Sequence, residues 1–129
     1  MKHIIAAWGN EERTILWVQF QHGWTWDDLY EAIETTYAMT ETVNHNIDLL
    51  VDFRAGERVP QGAFAQFHRM KGVQHPRWAF HVMLARSNFI GVLLDVFSKV
   101  APQLQYRVVS TAEEAHTILS KRHEHVPEL

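Results

Sequence analysis

The side chains in this 129-residue chain with the chemistry for catalysis are four serines, nine histidines and the aspartates Asp48 and Asp52. None of Ser87, Ser98, Ser110 or Ser120 lies in the Gly-x-Ser-x-Gly elbow that exposes a nucleophile. Three of them fall at or inside helical segments, where capping or solvent exposure explains them. Asp48 and Asp52 sit four apart on an extended segment. They share a face there but stand about 13 Å apart by strand rise, too far to work as a pair across one bond. Metal ligation is equally unsupported. His-Glu-x-x-His is absent, His123-Glu124-His125 spaces its imidazoles so that they diverge on a helix, and His68 and His75 are seven apart across a helix end. With no cysteine, thiol catalysis, disulfides and thiolate metal sites are excluded. Neither glycine-rich phosphate-binding pattern occurs. The chain is therefore expected to be non-enzymatic, without metal or cofactor, an unconventional hydrolase being the alternative.

One loop offers anion chemistry. Arg54 to Gly62 ends at a helix N-terminus, which attracts anions, and Arg54 and Arg58 lie within it. The competing reading is that its glycines serve the backbone while the arginines pair with Asp52 or Glu57.

Composition sets the class. Hydrophobic residues make up 47% and charged residues 21%, ordinary values for a globular domain. Net charge is −3 with histidine neutral, which gives no electrostatic case for nucleic acid. Protonating all nine histidines would take it to +6, so solubility and self-association depend on pH over the histidine range. Ile4 to Trp8 is too short for a signal-peptide core, and no apolar run reaches the length of a membrane span. A cytoplasmic location is expected.

The elements that must position these residues follow from periodicity. Ile4–Trp8 and Thr14–Phe20 read as an antiparallel hairpin across a Gly-Asn-Glu-Glu turn. Thr25 caps a first helix ending near Val43, its inner side carrying Leu29, Ile33, Thr36, Tyr37 and Thr40. Ile47–Phe53 is an apolar run that stops at an acidic residue, the signature of a buried parallel strand reaching the working edge of a sheet. A short helix at 63–71 with Phe64 and Phe67 facing inward, a strand from Trp78 to Ala85, a helix from Ser87 to Val100, a strand at Tyr106–Val109 and a helix capped by Ser110 or Thr111 complete the chain. The order is ββαβαβαβα. It specifies one α/β domain over 1–122, with a mixed, mostly parallel sheet, an antiparallel hairpin at its start and helices flanking it. Residues 123–129 are expected to fray.

Two features point to binding. The helix from Ser87 to Val100 spreads Phe89, Leu94, Phe97 and other apolar residues over an arc of about 200°, wider than one core demands. The excess either packs under neighbouring loops or lines an interface or apolar pocket. Trp24, one of five tryptophans, brackets the first helix cap with Trp26 and is either core or a partly exposed contact.

The phrases IDLLVDFR, GAFAQFHRM, HPRWAFHVML, SNFIGVLLDVFSKVAPQL and YRVVSTAEEAHTIL resemble STAS-like proteins of the anti-sigma-factor antagonist type. More specifically they resemble the small stand-alone bacterial branch often grouped by fold with CRAL-TRIO lipid-binding proteins. The resemblance spans about Ile4 to Leu119. It implies a mixed sheet flanked by helices, and a role in partner switching or in binding a small or lipid-like ligand. Antagonists of this type carry a phosphorylatable serine just after the central strand. Here only Asp52 matches that motif, because no hydroxyl residue occurs between Asp52 and Gly62. Serine-kinase control of that loop is therefore not expected.

Together these readings specify a regulatory domain that docks a protein partner or a second copy of itself as a dimer. Asp52, Arg54, Arg58, Trp24, Phe89, Leu94 and Phe97 form the candidate surface, Phe97 and Leu94 being the apolar anchors. The alternative is a binding protein for a small apolar or acyl-type ligand, held between the third helix and the sheet.

Overall fold

The structure, a computed structural model, describes residues 2–129. Five strands and four helices alternate as expected. They are β1 (Ile4–Trp8), β2 (Ile15–Gln21), α1 (Trp26–Glu41), β3 (Ile47–Ala55), α2 (Ala63–Met70), β4 (Trp78–Leu84), α3 (Asn88–Val100), β5 (Tyr106–Val109) and α4 (Ala112–Arg122). The strands form one sheet in sequential order, β1 antiparallel to β2 and each later pair parallel. The α/β reading of the sequence is correct in class, order and strand direction.

Sequential order has a consequence for the helices. A right-handed crossover between neighbouring parallel strands puts its helix on a fixed side, so three crossovers in the same direction stack α1, α2 and α3 on one face. Side chains of α1 and α3 accordingly pack on Val18, Phe20, Val51, Phe53 and Met83, while α2 packs on α3 through Phe67 and Phe97. Helix α4 follows the last strand and makes no crossover, so it is free to take the opposite face. There Ala115 and Leu119 close over Ile15, Leu50, Val82, Leu84 and Val109. With strand order never reversing, the sheet lacks the crevice at which open α/β sheets usually bind ligands. The space for a ligand lies between the sheet and its three-helix layer instead.

Local signals place the helix starts. Thr25 accepts from the Asp28 amide while Asp28 accepts from the Thr25 amide, a complete capping box. Ser87 caps α3 by accepting from Phe89, and Thr111 caps α4 by accepting from Glu114. Helix α2 has no side-chain cap. Gly62 precedes it at φ 92°, a left-handed conformation that glycine adopts without a Cβ penalty.

Three expectations about packing are corrected. Phe64 does not face inward: it is 64% exposed, while Phe67 one turn later is buried. An eight-residue helix lying on α3 buries only a narrow stripe, here Ala63 and Phe67. Tyr37 is exposed, and Ala32 takes the place on the inner stripe of α1 where that helix approaches Ile4 and Val18. Helix α1 stops at Glu41 with Thr42 as its cap, near Val43 as expected. Residues 123–129 make specific contacts rather than fraying. His123 bonds the buried carboxylate of Asp48, the Asn10 side-chain amide donates to the His125 carbonyl, and Val126 and Leu129 pack on the α4-side core. The reason is the single helix on that face, which leaves apolar sheet for the tail to cover.

Candidate functional site

A cavity of about 170 Å³ opens between the three-helix layer and β2, β3 and β4. The sheet supplies Phe20, Val51, Phe53, His81 and Met83 to its floor, alternate residues of strands whose other faces meet α4. Helix α3 contributes Ile90, Leu93, Leu94 and Phe97, and α2 contributes Ala63, Phe67 and Met70. No charged side chain among the described residues lines it. Gln74 and His81 are its polar side chains apart from Trp24 and Trp26, whose indole nitrogens are already engaged.

Those two tryptophans hold the β3–α2 loop beside the cavity. Trp24 Nε1 donates to the Gly56 carbonyl at 2.8 Å and Trp26 Nε1 to the Gln61 carbonyl at 2.7 Å. Their rings meet edge to face with centroids 5.2 Å apart, and Phe20 stacks edgewise on Trp24 at 4.9 Å. Gly56 is required because the loop passes against β2: a Cβ there would lie 2.8 Å from the Gln21 carbonyl oxygen. Across the helix layer, Arg69 of α2 lies over the Tyr30 ring of α1 at 3.6 Å, and the Tyr30 hydroxyl donates to Gln66.

His81 is the cavity's most constrained polar group. It is 7% exposed and its Nδ1 lies 3.2 Å from the Gln105 carbonyl, which also accepts the His81 amide at 2.9 Å. A carbonyl only accepts, so Nδ1 carries the proton. Burial pushes the imidazole pKa down against the opposing pull of the Gln105 hydrogen bond and of Asp48, favouring the neutral ring.

The opposite face holds two separate ion pairs. Asp52 is 6% exposed and accepts from the Arg54 backbone amide, the Arg54 guanidinium at 3.0 and 2.8 Å, and Trp17 Nε1 at 3.2 Å. Burial alone would raise its pKa, but the Arg54 and Trp17 contacts outweigh it and hold the carboxyl below its ordinary value. Asp48 is 2% exposed and accepts from Arg122 and His123, each at 2.6 Å. The two aspartates share a face, as their spacing requires, and each is taken by its own cations. Among the described residues no group of three potential ligands could hold a metal ion.

The seven residues proposed as one surface are thus divided by the fold. Phe97 is buried at 8% exposure and Trp24 at 4%, so neither is a surface contact. Both line the cavity with Leu94, which is half-buried. Asp52 is covered by Arg54 and Trp17 on the far side of the sheet. Arg58 and Phe89 remain exposed, Phe89 at 57%. The wide apolar arc of α3 resolves into an inner part facing the cavity and core, and an outer strip of Phe89 and Val92. His81 was missed from sequence. Its signal was a lone histidine two residues before Met83, hence on the same inward face of the strand.

No family model, curated protein or solved structure matches the chain. No helix among the described residues is long and apolar enough to cross a membrane.

Proposed function

We propose that this chain is a non-enzymatic binding domain that shelters one small, uncharged, apolar ligand between α1, α2, α3 and the sheet. The observation that carries the reading is the cavity itself: 170 Å³ lined almost wholly by aliphatic and aromatic side chains. An engineered apolar cavity of about 150 Å³ stays dry and takes up benzene, so this space suits a single-ring molecule or a short chain. The resemblance to STAS-like and CRAL-TRIO-like domains, whose roles are binding rather than catalysis, supports the same class.

Toluene is the probe that tests it. Calorimetric titration should show one site per chain, and saturating toluene should raise the melting temperature through preferential binding to the folded state. A folded protein that takes up no toluene and shows no thermal shift overturns the reading.

A second reading is docking of a protein partner or a second copy, and it is favoured by Phe64, Phe89 and Val92 exposed on α2 and α3. Sedimentation of the wild-type chain against Phe89→Ser and Val92→Ser tests it: a dimer that these changes dissociate supports it, and a monomer in both overturns self-association.

A further inference from the structure

We infer that the ligand of this cavity carries a single hydroxyl-type donor and hydrogen-bonds through it to Nε2 of His81. The inference deepens the binding reading and rests on it. Gln105 takes the Nδ1 proton, so the neutral ring presents Nε2 as a bare acceptor. That hydrogen bond is the ring's one partner among the described residues. Among the described residues the one fully enclosed side-chain nitrogen without a hydrogen-bond partner is Arg77 Nε, so the unpartnered Nε2 of His81 keeps some accessible surface. His81 lines the cavity, and Nε2 is the ring nitrogen that Gln105 leaves free.

The rest of the lining narrows the chemistry. No charged side chain among the described residues reaches the cavity, so an ionised head group would have no counter-charge. A wholly apolar molecule would cover Nε2 and leave it unsatisfied. A neutral molecule with an apolar body and one O–H or N–H donor meets both constraints. Gln74, from the α2–β4 connection, is the second polar side chain within the lining. At 170 Å³ the class is that of phenol or a short-chain alcohol rather than a long acyl chain.

Phenol and toluene have nearly the same shape and differ in the donor, so their affinity ratio isolates the interaction. Replacing His81→Leu should lower the phenol-to-toluene ratio about 5- to 100-fold, the effect of leaving one buried donor unpaired. Toluene affinity should hold or rise. Should the variant fail to fold, the wild-type protein still decides: phenol should move the Nε2 nitrogen resonance of His81, and toluene should not shift it toward a hydrogen-bonded value. Toluene binding without phenol preference at His81, seen as an unchanged ratio and an unmoved Nε2 signal, overturns this inference and leaves the cavity reading standing. Failure of both molecules to bind overturns both.

Discussion

Trp24 reaches 32 residues along the chain to donate its indole N–H to the carbonyl of Gly56, and so ties the β2–α1 corner to the start of the β3–α2 loop. Both ends of this contact are buried, Trp24 at 4% exposure, and the loop it holds continues to Val59 on the cavity wall. Trp24→Phe keeps a large aromatic ring but leaves the carbonyl without its donor. It should cost about 1–3 kcal/mol in urea unfolding, the usual penalty for an orphaned buried polar group. Gly56→Ala should be at least as damaging, because its methyl group meets β2 backbone rather than a yielding side chain.

The Asp52–Arg54 pair makes a pH-dependent prediction with a definite sign. Its carboxyl titrates lower in the folded chain than in the unfolded one. The stability it contributes is therefore present above the ordinary aspartate value of about 4 and is lost as pH falls through the lower folded value. Arg54→Met should destabilise the protein at pH 7 by about 1–3 kcal/mol, less than breaking a fully enclosed pair because the guanidinium is partly exposed. Urea midpoints of wild type and variant should converge as pH drops below about 4.

His81 titrates in the other direction from a partnered histidine. Burial holds its folded pKa below the ordinary value of about 6.5. Between those two values the unfolded chain binds a proton that the folded chain does not, so stability declines as pH falls below about 6.5. In His81→Leu that part of the decline should disappear, which paired urea titrations at pH 7.5 and 5.5 would measure.

Helix α3 supplies an internal comparison. Phe97→Ala empties a buried site between α2 and α3 and should cost about 3–5 kcal/mol. Val92→Ser, at 59% exposure on the same helix, should stay within about 0.5 kcal/mol of wild type. Equal costs at the two positions would show that the outer strip is packed in solution.

How far the sequence discloses this molecule depends on whether a property is local. Capping by Thr25, Ser87 and Thr111, the apolar run of β3 and the turn after Trp8 are short-range signals, and the fold follows from them. Which way an aromatic points is not short-range. Phe64 and Phe67 both fit an amphipathic stripe, yet only one meets α3; Phe97 and Phe89 both belong to the apolar arc, yet only one is covered. The cavity is less legible still. It arises because three crossovers share one face and do not quite fill it, a volume difference among some eighteen side chains from six elements and their connections. His81 illustrates the middle case: strand alternation fixes its face, while its acceptor role depends on Gln105, 24 residues away.

The most direct measurement is the set of nuclear Overhauser contacts between bound toluene and the methyl groups of the isotope-labelled protein. A ligand lodged between the helix layer and the sheet gives contacts to Val51, Met83 and Leu94 and none to the outward methyls of Val92. Contacts confined to Val92 and its exposed neighbours, or no contacts at all, would contradict a binding function for this cavity.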